Sequence, residues 1–176
     1  MIEEKIKNNL RDVADFPKPG IIFKDITPLL KNQELCSQIV DEFALKLENI
    51  EFDAIAGIES RGFLFGLMLA NKLNKPFIPI RKAGKLPHKT IQQSYDLEYG
   101  SAVIEIHEDA FSLGQRILIH DDLLATGGTV EASSLLIQKM NGKVAGFSFI
   151  ISLDFLNGKE KLNKFSENII SLASYL

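Results

Sequence analysis

Short apolar runs recur along the chain and are separated by segments with helical spacing. The runs are Ala54–Ile58, Phe77–Ile80, Ala102–Ile106, Ile117–Ile119 and Val144–Leu153. Several of them are apolar throughout and do not alternate with polar residues, which is typical of strands buried on both faces of a parallel sheet. The pattern therefore predicts a sheet that is covered on both sides.

Three segments carry apolar residues at the spacing of an amphipathic helix. Their apolar positions are Leu35, Ile39, Val40, Phe43 and Leu47, then Phe63, Leu67, Ala70 and Leu73, and then Leu136, Ile137 and Met140. The third helix is expected over Val130–Met140 because Asn141-Gly142 is a helix-ending signal. Strands that alternate with helices predict right-handed βαβ units and a doubly wound sheet.

Ligands of such sheets bind beyond the carboxyl ends of the strands. This rule directs attention to Gly57–Gly62, to the residues from Arg81 onward, and to Asp121–Thr129. The stretch Arg81–Gly100, RKAGKLPHKTIQQSYDLEYG, has neither a helical nor a strand pattern. Loops of this length in compact domains are usually functional lids or disordered.

Composition places the chain among ordinary globular proteins. Its 176 residues are 45% hydrophobic and 24% charged, which fits one domain, residues 1–176, with one core. Cys36 is the only cysteine, which excludes an internal disulfide and a cysteine zinc site. The charged N-terminus does not resemble a signal peptide, and no apolar run approaches the roughly 18 residues of a membrane span. We expect a soluble cytoplasmic protein that does not bind membranes.

Charge is distributed unevenly along the chain. The net charge of −3 gives no reason to expect binding to nucleic acid. The segment from Ser60 to Tyr95, however, contains no acidic residue and carries Arg61, Lys72, Lys75, Arg81, Lys82, Lys85 and Lys89. Such a segment either focuses a polyanionic ligand or forms an ordinary solvated basic face.

The segment Asp121–Thr129, DDLLATGGT, combines acids with an anion-binding turn. Backbone N–H groups at the start of the following helix, with the hydroxyls of Thr126 and Thr129, can bind a phosphate. The P-loop and dinucleotide fingerprints are both absent. The alternative interpretation is a helix start with ordinary capping acids.

The adjacent acids are compatible with a phosphate if the phosphate belongs to a sugar. A carboxylate accepts hydrogen bonds from vicinal ribose hydroxyls, while the backbone donors hold the 5′-phosphate a sugar's length away. Asp121 and Asp122 could also bind Mg²⁺, which commonly bridges substrate oxygens and carboxylates. The basic residues Arg61, Arg81, Lys82 and Lys85 would suit a diphosphate.

Together these segments resemble the type I phosphoribosyltransferases, and among them the adenine-specific family. The matching stretches are DFPKPGIIFKDITPLL (Asp15–Leu30), GIESRGFLFG (Gly57–Gly66), RKAGKLP with SYDLEYG (within Arg81–Gly100) and DDLLATGGT. They occur in the family's order and cover nearly the whole chain. The first stretch is the most discriminating, because the phosphoribosyl motif is shared with relatives that use other bases.

The resemblance implies both a fold and a reaction. The fold is α/β, with a central mostly parallel sheet flanked by helices, a small N-terminal hood of about residues 1–30 and a flexible active-site loop of about residues 82–100. The reaction transfers the phosphoribosyl group of phosphoribosyl pyrophosphate to adenine, giving AMP and pyrophosphate, with Mg²⁺ as cofactor. The family also implies a homodimer.

The resemblance assigns residue roles by position. Phosphoribosyl binding falls to Asp121, Asp122, Ala125, Thr126, Gly127, Gly128 and Thr129. Pyrophosphate binding falls to Glu59, Ser60, Arg61, Arg81, Lys82 and Lys85, with a non-proline cis peptide in the Glu59–Arg61 loop. Adenine binding falls to Ile22, Phe23, Lys24 and Leu153. Glu98, beside Tyr99 in the flexible loop, is the candidate for proton transfer, and Arg61 and Lys82 complete the catalytic set.

Some of these assignments compete with simpler interpretations. Phe23 and Leu153 also fit plain core positions, and His120 fits a structural histidine at the end of an apolar strand. Lys24 and Ala83 depart from the family, which often has arginine and a basic residue at these positions. With only three histidines and no cluster at ligand spacing, a histidine metal site is not expected. A second hypothesis is a ligand-sensing regulator without catalysis, but the chain has no spare length for a DNA-binding module.

Overall fold

The computed structural model describes residues 1–97 and 100–176, and its elements alternate as the sequence pattern predicts. The helices are α1 (Ile2–Asn9), α2 (Gln33–Lys46), α3 (Gly62–Lys72), α4 (Gly128–Lys139) and α5 (Gly158–Leu162). The strands are β1 (Arg11–Ala14), β2 (Ile22–Asp25), β3 (Ala54–Ile58), β4 (Phe77–Lys82), β5 (Thr90–Asp96), β6 (Ser101–His107), β7 (Arg116–Leu124), β8 (Lys143–Leu153) and β9 (Ile169–Tyr175). Short 3₁₀ turns lie at Thr27–Lys31 and Asp154–Leu156.

In the described part of the chain, seven strands form one sheet in the order β5-β6-β4-β3-β7-β8-β9. The pairs β4-β3, β3-β7, β7-β8 and β8-β9 are parallel. The β5-β6 hairpin is antiparallel and extends the sheet beyond β4. This arrangement confirms the predicted α/β class with a mostly parallel central sheet flanked by helices.

The core lies on both faces of the sheet, as the continuous apolar runs predict. Leu118 of β7 packs with residues of α1, α2 and α3 on one face. Its neighbours Ile117 and Ile119 pack on the other face with residues of α4. Alternate side chains of one strand therefore enter two separate apolar clusters, which explains why β7 shows no polar alternation before His120.

One sequence expectation about the edge of the sheet is confirmed and another is wrong. The run Ala102–Ile106 is a strand, β6, as predicted, and it pairs antiparallel to β4. The stretch Arg81–Gly100, expected to lack regular structure, contains β5, which pairs with β6 from Thr90 to Asp96. The polar residues of β5 hide a strand pattern, because one face of this hairpin is exposed. The flexibility of residues 82–100 stays a prediction.

The N-terminal residues form a small unit where the sequence predicts a hood. Strands β1 and β2 pair antiparallel from Arg11 opposite Asp25 to Ala14 opposite Ile22, in a sheet of their own. These short strands, like β9 at the other end of the chain, were not expected from the apolar pattern. Across residues 1–97 and 100–176, every helix falls short of the length and apolar character that a membrane span requires.

The packing of α2 on the sheet makes a stability prediction. Phe43 is fully buried and its ring lies edge-on to His120, with ring centroids 5.4 Å apart. Phe43→Ala should lower the free energy of unfolding by about 3–5 kcal/mol, because it leaves a cavity in the core. Leu45→Ala, in the same helix at a side chain that is 59% exposed, should change it by less than about 0.5 kcal/mol. Urea denaturation measures both, and equal losses would contradict this packing.

Candidate active site

A cleft opens at the carboxyl ends of the central parallel strands. It has a volume of about 320 Å³ and is lined by Glu59, Ser60, Arg61, Lys82, Asp121 and Asp122. These residues come from the turn after β3, from the end of β4 and from the second half of β7. The structure thus brings together acids and cations that are far apart in sequence, at the edge where α/β sheets bind ligands.

The turn between β3 and α3 determines how Arg61 reaches the acids. The Glu59–Ser60 peptide bond is cis, as the resemblance implies. A Cβ at Gly62 would lie 2.8 Å from the backbone oxygen of His120 and 3.0 Å from Oδ1 of Asp121. Only glycine lets α3 begin so close to β7. Arg61, the residue before it, therefore lies directly beside the acidic pair.

Asp121, which is half-buried, and Asp122, which is buried, form a pair of adjacent acids inside β7. The Asp122 N–H donates to Oδ1 of Asp121 at 2.9 Å, and Asp122 is only 2% exposed. Burial raises the pKa of Asp121 well above its usual value, and the neighbouring Asp122 carboxylate raises it further. Burial also raises the pKa of Asp122, although the Arg61 guanidinium opposes the shift.

The surrounding protein offsets only part of the negative charge of Asp121 and Asp122. Nε of Arg61 lies 2.8 Å from Oδ2 of Asp122, which is an ion pair. In the described ranges, this buried Oδ2 has no hydrogen-bond partner of good geometry. Buried acceptors of this kind are costly unless a donor or a cation satisfies them. The two carboxylates can therefore accept hydrogen bonds from a ligand.

Glu59 connects the ends of β3 and β4. Its Oε2 accepts the Lys82 N–H at 2.8 Å and Nε of Arg81 at 3.2 Å. Burial tends to raise the pKa of Glu59, but these hydrogen bonds outweigh burial and lower it below the usual value. Nη1 of Arg81 also donates to the Lys85 carbonyl at 3.3 Å. The charge of Glu59 thus orients Lys82 at the cleft, while the Arg81 guanidinium is directed toward the loop.

The turn between β7 and α4 has the shape of an anion site. Gly127 has φ of +79°, and α4 begins at Gly128, two residues earlier than the sequence pattern indicates. A Cβ at Gly127 would lie 2.8 Å from the Gly158 carbonyl, and one at Gly158 would lie 2.2 Å from the carbonyl oxygen of Ala125. The start of α5 therefore supports the turn from behind, and the N–H groups at the start of α4 remain available to an anion.

The expected adenine residues lie in different surroundings. The Arg61 guanidinium lies over the Phe23 ring at 4.6 Å from its centroid, and Phe16 makes an edge-to-face contact with that ring. Lys24 instead pairs with Asp12 at 2.8 Å and lies over the Tyr175 ring. Ile22 is exposed, and Leu153 ends β8 opposite Tyr175 in β9. Of these four residues, Phe23 is the one that contacts Arg61, and Arg61 in turn forms the ion pair with Asp122.

Other expected residues are outside the cleft or outside the described ranges. Glu98 and Tyr99 belong to the residues that the structure does not describe. His120 is buried, its Nδ1 lies 2.9 Å from the Ser148 hydroxyl, and burial lowers its pKa to about 3. Its buried Nε2 has no hydrogen-bond partner in the described ranges, so the histidine is less fully satisfied than the sequence suggests. Within the described residues, no group of three or more His, Cys, Asp or Glu side chains could hold a metal ion.

Sequence reasoning missed three residues that support the site. Gly158 packs against the phosphate turn, and the Tyr95 hydroxyl accepts a hydrogen bond from the Thr129 hydroxyl at 3.3 Å. Glu105 is a buried carboxylate that accepts the backbone N–H of Lys85, in the loop after β4. The dipeptide Asn157-Gly158 is a turn signal that could have drawn attention to Gly158. Glu105 is the only charged residue of the run Ala102–Ile106, which is a signal for a partnered buried charge.

Comparisons with known proteins agree with this geometry. Residues 25–167 match the family model of the phosphoribosyl transferase domain. The chain is 53% identical over 175 residues to the adenine phosphoribosyltransferase of Cytophaga hutchinsonii, which covers 99% of this chain and 97% of that protein.

Solved structures show the same similarity. The crystal structure of adenine phosphoribosyltransferase from Thermoanaerobacter pseudethanolicus superposes with a TM-score of 0.95 at 47% identity, covering 99% of this chain and 100% of the other. The Saccharomyces cerevisiae enzyme, complexed with D-2,5-dideoxy-2,5-imino-altritol 1,6-bisphosphate and adenine, superposes with a TM-score of 0.91 at 38% identity, covering 97% and 98% of the two chains. On sequence, fold and site together, the chain belongs to the adenine phosphoribosyltransferases, within the wider phosphoribosyltransferase family.

Proposed function

We propose that this chain transfers the phosphoribosyl group of phosphoribosyl pyrophosphate to adenine, giving AMP and pyrophosphate. The observation that carries the proposal is a single cleft that is lined by both acids and cations. The acids Asp121 and Asp122 lie on β7, while Arg61 and Lys82 come from the ends of β3 and β4. A ribose with an anionic group at each end requires this arrangement of acceptors between anion sites. The similarity to adenine phosphoribosyltransferases supports the choice of base.

Each part of the donor substrate has a counterpart in the cleft. The carboxylates of Asp121 and Asp122 accept the ribose hydroxyls, and the N–H groups from Ala125 to Thr129 bind the 5′-phosphate. Ser60, Arg61 and Lys82, with Lys85 on the adjoining loop, bind the diphosphate. Glu59 and Arg81 act through the hydrogen bonds that hold the Lys82 backbone and the Lys85 carbonyl.

The reaction breaks the anomeric C–O bond of the sugar. Positive charge develops on the ribose and negative charge on the departing diphosphate, so the cations on β3 and β4 bind the transition state more tightly than the substrate. Adenine attacks through N9 and releases a proton, for which Glu98 is the proposed acceptor. Closure of residues 82–100, with Tyr99, would exclude water that otherwise hydrolyses the activated sugar.

The donor set fits a magnesium ion that is held mainly by substrate. Asp121 and Asp122 offer carboxylate oxygens, one of them a buried atom without a hydrogen-bond partner in the described ranges. Mg²⁺ prefers oxygen ligands and is often bound through one or two carboxylates and substrate phosphates. A bound ion would supply positive charge to the diphosphate.

Phe23 is the proposed stacking partner of the adenine ring. The Arg61 guanidinium lies 4.6 Å from the centroid of the Phe23 ring. A flat base would stack on the ring in the same way. Ile22, Lys24 and Leu153 would border the base, although Lys24 would first have to leave Asp12 and Tyr175.

The remaining proposals concern domain organisation, cellular location and oligomeric state. We propose that residues 1–176 act as one unit with a hood of about residues 1–30, in the cytoplasm, and that two copies form a homodimer. The dimer is supported by the exposed apolar side chains of α3, Leu64, Leu67 and Met68. A regulator that binds the sugar without catalysis is the competing function, and no observation of the cleft favours it.

The first prediction concerns the base. With phosphoribosyl pyrophosphate and Mg²⁺, adenine should release pyrophosphate in a coupled assay, whereas hypoxanthine, guanine and orotate should give little turnover. Turnover with another base but not with adenine would contradict the specificity. Thermal stabilisation by phosphoribosyl pyrophosphate without turnover of any base would favour the regulator.

The second prediction concerns the acidic pair. Asp121→Asn removes a charge-assisted acceptor of the ribose hydroxyls, so KM for phosphoribosyl pyrophosphate should rise about 10- to 100-fold. The same change removes a buried charge that repels Asp122, so the melting temperature should stay equal or rise. Asp109→Asn, on an exposed turn, is the control and should alter neither quantity. A stable variant with unchanged KM would refute the ribose assignment.

The third prediction concerns proton transfer. Glu98→Ala should lower kcat about 100-fold or more, because a general base is lost, with little change of KM for phosphoribosyl pyrophosphate. Glu108→Ala, an exposed acid beyond β6, should keep the wild-type rate. Steady-state kinetics with varied donor substrate measure both variants. A wild-type rate for Glu98→Ala would show that another group receives the proton.

A further inference from the structure

Glu105 is a buried carboxylate to which the reaction outlined above gives no role. It lies in β6, is 2% exposed and stands between the buried side chains of Ile104 and Ile106. A glutamate in such a position is costly unless its oxygens are hydrogen-bonded, and fully buried glutamates are rare. Its partners therefore indicate what the charge does.

The donors to Glu105 come from the loop after β4 and from β5. Its Oε1 accepts the backbone N–H groups of Lys85 and Leu86, each at 2.9 Å. Its Oε2 accepts from the Thr90 hydroxyl and the Gln92 side-chain amide, each at 3.2 Å. One carboxylate thus joins the loop after β4 to the hairpin that follows it.

A carboxylate suits this position better than a neutral side chain. These donors all point inward, and an ionised carboxylate can accept from all of them because it carries no N–H of its own. Burial tends to raise the pKa of Glu105, but hydrogen bonds, first those from backbone N–H groups, outweigh burial and lower it. Glu105 is therefore charged at neutral pH, and a glutamine here would direct an NH₂ group at other donors.

Glu105 complements Glu59 on the same basic segment. Glu105 stands opposite Arg81 in the register of β6 and β4. Glu59 accepts the N–H of Lys82, and Arg81 reaches from Glu59 to the Lys85 carbonyl. Lys85 is consequently held at both backbone groups, its N–H by Glu105 and its carbonyl by Arg81. Two buried or half-buried carboxylates thus fix successive parts of the segment Arg81–Leu86.

We propose that Glu105 is a positioning residue that directs Lys85 toward the leaving diphosphate by fixing the backbone of the Lys85–Leu86 turn. The inference rests on the proposed function, which assigns Lys85 to the diphosphate. Glu105 touches neither substrate nor the reacting atoms, and its negative charge stays covered by N–H and O–H donors. It stabilises a rigid base for the loop, so that less conformational entropy is lost when the diphosphate binds.

The test compares ligands with and without a diphosphate. In Glu105→Gln, KM for phosphoribosyl pyrophosphate should rise about tenfold, the cost of weakening a charged hydrogen-bond set. KM for adenine, and the inhibition constant of ribose 5-phosphate, should stay within about twofold of wild type, since neither ligand carries a diphosphate. If both sugar phosphates weaken in equal proportion, Glu105 is merely structural and the proposal is wrong.

Asp53→Asn is the matched control. Asp53 also accepts a backbone N–H, that of Arg116 at 2.7 Å, but just before the amino end of β3, at the opposite edge of the sheet. Hydrogen bonds to Arg116, first that of its side chain, lower the pKa of Asp53, so its substitution should cost stability as Glu105→Gln does. Its KM for phosphoribosyl pyrophosphate should remain that of wild type. A rise equal to that of Glu105→Gln would overturn the proposal.

Lys85→Ala separates the inference from the function on which it rests. If Lys85→Ala leaves KM for phosphoribosyl pyrophosphate unchanged, the assignment of Lys85 to the diphosphate fails, and the proposal with it. If Lys85→Ala raises KM but Glu105→Gln does not, only the positioning role fails. The double variant should be no worse than Lys85→Ala, because Glu105 acts through Lys85. Additive effects in the double variant would contradict that coupling.

A milder variant keeps the test decisive if Glu105→Gln does not fold. Gln92→Ala removes one donor to Oε2 at an exposed position of β5 and should leave the fold intact. Its KM for phosphoribosyl pyrophosphate should rise about two- to threefold, in proportion to a single neutral hydrogen bond, with ribose 5-phosphate inhibition unchanged. An unchanged KM for phosphoribosyl pyrophosphate would count against the positioning role.

Discussion

Two carboxylates buried side by side on β7 are the electrostatic constraint on which the rest of the cleft depends. Burial raises the pKa of both aspartates, and the Asp122 carboxylate raises that of Asp121 further. The surrounding structure offsets the free-energy cost of burying these carboxylates only in part. Gly62 allows α3 to begin against β7, and this close approach brings Arg61 within 2.8 Å of Asp122. The remaining acceptor capacity is what a sugar with free hydroxyls can satisfy.

Parallel pairing explains why groups of opposite sign from distant parts of the sequence meet in one cleft. Strands β4, β3 and β7 end at the same edge of the sheet, and each is followed by a different segment. The end of β7 supplies carboxylates and then the helix start at Gly128, while β3 and β4 supply Arg61 and Lys82. Arg61 lies close enough to the acids to form an ion pair with Asp122, at 2.8 Å. Glu59 and Glu105 do not compete with the substrate, because their oxygens already accept hydrogen bonds from the basic segment.

The sequence predicts the parallel core well and its edges poorly. Strand β3 has the predicted bounds Ala54–Ile58, because a strand buried on both faces is visible as an unbroken apolar run. Strand β5 escapes prediction because Gln92, Gln93 and Ser94 lie between Ile91 and Tyr95, the two side chains that pack against the core. Its order comes from pairing with β6, a long-range interaction that a local pattern does not contain. The predicted strand Ile117–Ile119 ends too early for the same reason, since pairing with β8 extends β7 through both aspartates to Leu124.

The site shows the same division between local and long-range information. The motifs visible in the sequence are the adjacent acids Asp121 and Asp122, the Gly127-Gly128 turn and the basic residues from Arg61 to Lys89. The cis bond after Glu59 follows from the family resemblance. The support of the phosphate turn by Gly158 and the burial of Glu105 depend on segments distant in sequence. Roles that depend on position among other elements, such as the pairing of Lys24 with Asp12, likewise need the folded structure.

The most direct test of this account is a carboxyl ¹³C NMR titration of Asp121 and Asp122, with and without ribose 5-phosphate. In the free protein both groups should titrate above the usual range of aspartate, because burial favours the protonated forms. Binding of the sugar should lower both pKa values, since its hydroxyls donate to the charged carboxylates. Unshifted titrations in the free protein, or pKa values that rise on binding, would contradict the claim that the buried acidic pair receives the ribose.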